Sequence, residues 1–570
     1  MKIRSVSRIG ILYFGIIVVA LILLGRLFIV QIIRGELYAQ QADGQYVTDQ
    51  SYVFDRGTIY FEKKDGTRIS CATLRSGYIL AIDPSQISNI SYVYKQLSSI
   101  VDIEKDIFFL RAGKKDDPYE EIVKRLDKET AQKIEALDIK GVVLAEDKWR
   151  FYPGGTLSAH AIGFVGYKGN VLGGRYGLER YYDDILSRGE NKLYVNFFAE
   201  VFSNVNELLR SNSRNNRDGD IVTTIELSVQ GMLEESLLGL EEKWNTDSVG
   251  GIIIDPRTGS IYALASRPGF DPNYFNKVDD ISVFTNPLVE NVYEMGSIMK
   301  PLTMATGLDT GVVTYDSTYK DDGYVVLDGL RIENYDGIGR GVVPMQEVLN
   351  QSLNTGAVHV MQKVGKENFK KYMYDFGLAE RSGVDLPNDT KGLVSNLKSS
   401  RDIEYATASF GQGIAITPFV MVKALSVLAN GGTLITPHLV KEIDYTLGYS
   451  QEIAHEEGSR VLKEETSDEI SRMLVEVVDT ALLNGTVKMD GYSIAAKTGT
   501  AQMADPEGGY YEDKFLHSFF GYFPAYDPKF LVFLYAVDPK EVRYASQTLT
   551  HPFMDVTKFL INYYNIPPDR

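Results

Sequence analysis

A chain of 570 residues is too long for one ordinary hydrophobic core and predicts two or more domains. Its 44% hydrophobic and 24% charged content is that of a folded protein, and a formal net charge of -17 without basic blocks argues against nucleic acid as a partner. A single cysteine, Cys71, excludes an intrachain disulfide and carries no catalytic signal.

The first predicted element lies at the start of the chain. Ile9 to Gly25 is an uncharged, largely apolar run, and beyond Arg26 the apolar pattern resumes at Leu27–Val30 and Ile32–Ile33. Taken as residues 9–33 this supplies the roughly 20 residues a membrane helix requires, with Arg26 free to snorkel toward a headgroup. No Ala-x-Ala-like cleavage site follows, so an uncleaved anchor is expected rather than a signal peptide. Lys2, Arg4 and Arg8 precede it. The positive-inside rule then leaves residues 1–8 as a cytoplasmic tail and places everything past residue 34 outside the membrane.

Gly35 to Ala42 continues as a polar helix, and Asp55 to Tyr60 reads as a turn entering a strand. The segment from Asp102 to Leu144 is rich in charge, with helical spacing over Tyr119–Leu126. Ser211 to Asp220 reads as a surface loop. No catalytic constellation occurs in this part, which is expected to be structural, a stalk and docking surface.

A second module is predicted to begin near Val222, with a short strand leading into a helical pattern over Ser228–Trp244. Val249–Ile254, the turn Asp255–Gly259 and Ile261–Ala265 read as a hairpin whose first strand is apolar throughout, as a buried central strand would be. Helical patterns follow around Ser297, over Gln346–Val364 and over Pro418–Leu428. Strands are expected at Tyr492–Ala496, His517–Phe523 and Phe530–Val537. Hairpin strands, a helical middle and returning strands describe an α+β fold.

The chemistry is concentrated in this second module. Ser297 and Lys300 stand three residues apart at the start of a predicted helix, where i and i+3 share a face and a lysine amine can take the proton of a serine nucleophile. Alone the pair is weak, since Ser395 and Lys398 repeat the spacing. Ser352-Leu353-Asn354 follows, again a short pattern that Ser213-Arg214-Asn215 repeats, and then Lys497-Thr498-Gly499-Thr500 inside a longer and less common run. Ser-x-x-Lys, Ser-x-Asn and Lys-Thr-Gly in that order are the joint signature of penicillin-binding proteins and class A β-lactamases. On these motifs the chain resembles a class B penicillin-binding protein, the peptidoglycan transpeptidase type, and Ser395 and Ser213 are decoys.

The resemblance implies an antiparallel sheet flanked by helices, with the site between the sheet edge and an all-helical lobe, as in serine β-lactamases. It extends to the N-terminal part through Asp55–Tyr60, Arg150–Gly155, Ala159–Gly163 and Tyr176–Tyr181, which are similar to the elongated, mainly-β or α+β pedestal (dimerisation-type) domain of that family. The expected domains are therefore the pedestal over 34–222 and the transpeptidase domain over 223–570. By resemblance Ser297 is acylated by a D-Ala-D-Ala stem peptide with loss of the terminal D-Ala, and an amine from a neighbouring strand then takes the acyl group. β-Lactams acylate the same serine. A free lysine holds its proton at pH 7, so Lys300 acts as base only if burial or a neighbouring cation favours its neutral form. Lys497 is expected to supply that cation and to attract the substrate carboxylate, with Thr498 and Thr500 as hydrogen-bond donors. Ser352 is expected to relay the proton to the departing amine, Asn354 to orient Lys300 and the substrate amide, and the backbone N–H groups of Ser297 and Thr500 to form the oxyanion hole. Gly499 is expected to leave room for substrate lying along the strand. Two positions depart from the family pattern: Met295 stands where many members have proline, and Thr417-Pro418-Phe419-Val420-Met421 where a threonine-proline-x-Gln segment is usual.

No metal or cofactor is expected, since His455-Glu456-Glu457 is not a His-Glu-x-x-His motif and no phosphate loop occurs. Water in place of the acceptor amine would give a carboxypeptidase, expected here as a side activity, or a β-lactamase, which would not need a tethered pedestal. A β-lactam sensor would need further spans or a signalling domain, for which eight residues before the anchor leave no room, and a non-catalytic scaffold is the remaining rival. Without a glycosyltransferase module, a multi-spanning membrane glycosyltransferase is the implied partner. The shortness of the pedestal favours division (divisome) over elongation, by analogy.

Overall fold

The computed structural model describes residues 55–169, 171–188, 218–446, 448–453 and 458–570. The tail and anchor expected over 1–33, the polar helix at 35–42, most of the 211–220 loop with its Ser213 decoy, and His455 lie outside the described residues. Among the described residues no helix is long and apolar enough to cross a membrane. Contacts divide the described chain into two compact units, residues 77–147 and residues 55–76 with 148–570.

In the smaller unit the end of the strand Arg68–Ile82 pairs antiparallel with Glu120–Leu126, through Tyr78 with Leu126 and Leu80 with Val123. Helices Ile90–Ser98, Lys105–Ala112 and Lys128–Glu135 accompany them, and Leu80, Ile82, Leu97, Phe108, Leu126 and Ile134 form the core. The helical spacing over Tyr119–Leu126 is therefore overruled. Eight residues are too few for periodicity to decide, and over Glu120–Leu126 pairing with a neighbouring strand satisfies the backbone instead.

The larger unit contains a buried ionic cluster near its start. Arg56 Nε and Arg150 Nε each donate to Glu179, both at 2.6 Å, and Arg56 Nη1 reaches Asp183 at 2.7 Å. Burial pushes the Glu179 carboxyl up, but Arg150 and Arg56 outweigh it and hold the group below its ordinary range. Cys71 is buried, its thiol 3.2 Å from the Ile59 carbonyl, a packing role. An aromatic group of Phe164, Phe270, Phe275 and Phe284 ties residues near 164 to the 270–284 segment.

After the strand Gly219–Thr223, helix α1 (Leu227–Trp244) leads into the central sheet. Its strands are β1 (Ser248–Ile254), β2 (Ile261–Arg267), β3 (Ala495–Ala504), β4 (Tyr510–Phe523) and β5 (Phe530–Val537), in the order β2-β1-β5-β4-β3 and antiparallel throughout. In β5, Leu531, Phe533 and Tyr535 face one core while Val532, Leu534 and Ala536 face another, which is why these strands are apolar throughout rather than alternating. One face packs on α1 and on the C-terminal helix Thr550–Tyr564. The other packs on a helical lobe, as the α+β expectation requires. Its members include α2 (Lys300–Asp309), α3 (Met345–Asn350), α4 (Asn354–Val364) and α5 (Glu464–Glu476).

Three expectations are corrected in this unit. The pattern over Gln346–Val364 is two helices, α3 and α4, broken at Ser352, whose φ of 54° is left-handed. The strand expected from Tyr492 begins at Ala495, because the Ser493 N–H is drawn out of the ladder to Asp569 Oδ1 at 2.8 Å. The lobe is not all-helical: it carries two small two-stranded sheets, Thr318–Asp321 with Gly341–Pro344 and the hairpin Tyr324–Leu327 with Leu330–Glu333.

Candidate active site

Ser297 sits in a single 3-10 turn, Gly296–Met299, that runs directly into α2. In a 3-10 turn positions i and i+3 eclipse, so Lys300 falls behind Ser297 on the same side. Gly296 permits the turn: its φ is 62°, its N–H donates to the Gly411 carbonyl at 3.1 Å, and a Cβ there would lie 2.9 Å from the Thr500 carbonyl oxygen. The turn is thus wedged between the Gly411-Gln412-Gly413 loop and β3.

Behind it two lysines converge on one serine. Lys300 Nζ donates to the Ser352 carbonyl at 2.5 Å and to Ser352 Oγ at 3.2 Å, and Lys497 Nζ donates to the same Oγ at 3.0 Å. Both are almost wholly enclosed, Lys300 at 1% and Lys497 at 3% exposure. Burial, and secondly the charge of Lys497, pushes the Lys300 amine well below its ordinary range. Burial takes Lys497 down to about 7. The expectation that Lys497 helps neutralise Lys300 agrees in direction, but burial is the larger cause. The left-handed backbone at Ser352 is what presents both its hydroxyl and its carbonyl inward.

Above this layer opens a cavity of about 430 Å³, lined by Ser297, Ser352, Asn354, Lys497, Thr498 and Thr500 together with Phe410, Gln412, Gln502 and others. Seven of the eight expected site residues thus meet in one place. Two details differ from expectation. Asn354 Nδ2 donates to the Glu333 carbonyl at 2.8 Å, so Lys300 is oriented by Ser352 and not by Asn354. Gly499 faces away from the cavity: a Cβ there would lie 2.3 Å from Ser518 Oγ and 2.7 Å from the Met295 carbonyl oxygen. Its smallness lets β3 pack against the Ser297 turn; it does not clear a substrate path.

β3 is an edge strand, so its outer backbone groups are open to an added strand. The Thr500 carbonyl points at the Gly296 turn, and on an antiparallel strand a residue's N–H points to the same side as its C=O. The Thr500 and Ser297 N–H groups accordingly face the same opening, one from the strand and one from the start of a helical turn. Thr500 Oγ1 accepts from the Ala545 N–H at 3.0 Å, leaving its proton to donate.

The remaining motif positions resolve simply. Ser395–Lys398 is a separate 3-10 turn that does not line the cavity. Thr417 caps the helix Pro418–Ala429 by accepting from Val420 N–H, which accounts for its threonine-proline pair. Met295 is buried, and its carbonyl is held by Ser518 Oγ at 2.8 Å. Sequence reading missed Tyr335, Arg543 and Tyr544, which also line the cavity. Arg543 and Tyr544 are neighbours in one loop, Tyr335 comes from another about two hundred residues earlier, and the three share no motif.

The description "Penicillin binding protein transpeptidase domain" matches residues 249–557, and "Penicillin-binding Protein dimerisation domain" matches residues 55–221. The chain is 32% identical to "Stage V sporulation protein D" of Bacillus subtilis, over 95% of this chain and 83% of that protein. It is 25% identical to "Probable peptidoglycan D,D-transpeptidase PenA" of Neisseria gonorrhoeae, over 99% and 94% respectively. Penicillin Binding Protein 2X of Streptococcus thermophilus shares the fold with a TM-score of 0.73 at 20% identity, covering 90% of this chain and 80% of that one.

Proposed function

We propose that this chain, which belongs to the penicillin-binding protein transpeptidase family, is a penicillin-sensitive peptidoglycan D,D-transpeptidase working through an acyl-Ser297 intermediate. The observation that carries the reading is the pair of buried lysines meeting at Ser352 Oγ beneath the Ser297 turn. Lys300 in its neutral form receives the Ser297 hydroxyl proton as Oγ attacks the penultimate D-Ala carbonyl. The developing oxyanion accepts from the Ser297 and Thr500 N–H groups, each such donor contributing about 3 kcal/mol. As the C–N bond breaks, Ser352 passes a proton from the lysine pair to the leaving D-Ala amine. An acceptor amine then runs the steps in reverse, losing its proton through the same hydroxyl, and the product is a cross-link. Lys497, Thr498 and Thr500 hold the terminal carboxylate.

The same reading takes residues 34–222 as pedestal and 223–570 as transpeptidase domain. Its anchor over 9–33, with an extracytoplasmic body, rests on the apolar run and its flanking positive charges, and a multi-spanning glycosyltransferase as partner rests on the family resemblance alone. A short pedestal supports a role in division, whereas the similarity to a protein named for sporulation supports a developmental one. Depleting the protein separates these by septation failure, loss of rod shape or loss of spores alone.

The mechanism is tested by intact-mass spectrometry of the full-length chain after benzylpenicillin treatment, beside Ser297→Ala. One adduct of the drug's full mass on the first and none on the second is expected. No adduct, or one that persists in the variant, overturns the assignment and leaves a non-catalytic scaffold.

A further inference from the structure

The cavity has an unusual charge inventory for so acidic a chain. Its lining contains two cationic side chains, Lys497 and Arg543, and no Asp or Glu. Lys497 lies at the end of the cleft assigned to the terminal carboxylate. Arg543 has no such assignment: it is exposed, and among the described residues no carboxylate pairs with it. Its guanidinium stands 5.9 Å from the Phe515 ring centroid and 5.7 Å from that of Tyr544, so aromatic faces hold it without neutralising it. Its backbone is fixed from below, where the Arg543 carbonyl, which can only accept, takes the Nε2–H of buried His517 at 3.0 Å.

The place of Arg543 along β3 says which part of a substrate it meets. A donor peptide added to the edge of β3 with its carboxylate at Thr498 and its scissile carbonyl at Ser297 runs antiparallel to the strand, its N-terminal side toward Gln502. Each residue advances about 3.4 Å. The residue before the acylated D-Ala therefore comes beside Gln502, which pairs across the sheet with Phe515, the ring next to Arg543. That residue is the third of the stem peptide.

We propose that Arg543 is a specificity determinant that takes the side-chain carboxylate of the third stem-peptide residue, so that donors carrying a carboxylated diamino acid there are preferred. The inference rests on the transpeptidase reading above. A guanidinium offers paired N–H donors that match a carboxylate in a way a side-chain amide does not. The aromatic pair Tyr335 and Tyr544, ring centroids 6.0 Å apart, lines the cavity beside this position.

The test uses the full-length chain in detergent and three pentapeptide donors ending in D-Ala-D-Ala. One has meso-diaminopimelate at position three with its side-chain carboxylate free, the second has that carboxylate amidated, and the third is amidated instead at the α-carboxylate of residue two. D-Ala release and the slowing of benzylpenicillin acylation by each donor are both read. The first and third donors are expected to act alike and to exceed the second about tenfold, the scale of one charge-assisted hydrogen bond. Arg543→Ala should bring all three to the level of the second, each rate being taken relative to the same variant's own benzylpenicillin acylation, and Arg543→Lys should restore part of the difference. Equal handling of the first two donors by the wild type overturns the proposal, as does a loss in Arg543→Ala shared by all three. A deficit confined to the third donor moves the contact to residue two and overturns it as well. Absence of benzylpenicillin acylation overturns the transpeptidase reading itself; intact acylation with donors that are neither cleaved nor inhibitory overturns only the Arg543 contact.

Discussion

Replacing Gly499 by alanine separates two explanations of the Lys-Thr-Gly motif. The added Cβ would stand 2.3 Å from Ser518 Oγ, 2.7 Å from the Met295 carbonyl oxygen and 3.1 Å from Ile298 Cγ2. Non-bonded carbon contacts settle near about 3.5 Å, so β3 and the Ser297 turn must part by roughly 1 Å. The Ser518 hydroxyl can rotate away only by releasing Met295, and the Met295 carbonyl is backbone. Overpacking of this kind costs about 1–3 kcal/mol of stability. The kinetic loss should be larger, because the two oxyanion donors ride on the two elements being forced apart, and misplacing one donor lowers the rate about 10²–10³-fold. Thermal unfolding and the rate of benzylpenicillin acylation of Gly499→Ala are the measurements. A lowered Tm and a fall of about 10²-fold are expected, with Ser518→Ala in the same background recovering part of the Tm. A variant with wild-type Tm and penicillin acylation, impaired only toward peptide donors, would show that Gly499 clears a substrate path and refute the packing argument.

Further outcomes follow from the same geometry. The penicillin acylation rate should rise with pH through a step well below the ordinary lysine range of about 10.4, since burial and then Lys497 lower the Lys300 amine and only its neutral form accepts the serine proton. Lys497→Gln removes the second cause, so the step should move to higher pH, and an unmoved step would contradict the coupling. Ser352→Ala should slow acylation about 10²–10⁴-fold by removing the oxygen both lysines share. Ser352→Gly should be equally slow but about 1 kcal/mol more stable than the alanine variant, because φ at this position is 54°; denaturant titration of both distinguishes them. Glu179→Ala should destabilise the larger unit by about 3–5 kcal/mol, leaving Arg56 and Arg150 buried without their shared partner. Penicillin acylation by its folded fraction should persist.

The candidate catalytic residues were legible because the proposed chemistry demands uncommon neighbours at short spacing: Ser297 with Lys300 in one turn, Ser352 with Asn354 across one break, Lys497 to Thr500 along one strand. The apolar strands Ser248–Ile254 and Phe530–Val537 were legible for a related reason, since burial on both faces leaves an uninterrupted hydrophobic run. Local pattern failed where distant partners decide the backbone. Glu120–Leu126 became a strand because Tyr78–Ile82 lies alongside it, and the helix expected over Gln346–Val364 broke because Ser352 must turn both oxygens toward two lysines, one of them 145 residues away. Gly499 was recognised but misread: only the approach of Met295 and Ser518 reveals which side its missing side chain would occupy. Arg543, Tyr335 and Tyr544 carried no signal, because a cleft wall is assembled from separate loops, each answering to its own turn. Sequence by itself determined the candidate functional groups and their order; the tertiary structure decided their protonation, their orientation and what lines the cavity around them, since burial and long-range contact exist only after the chain has closed on itself.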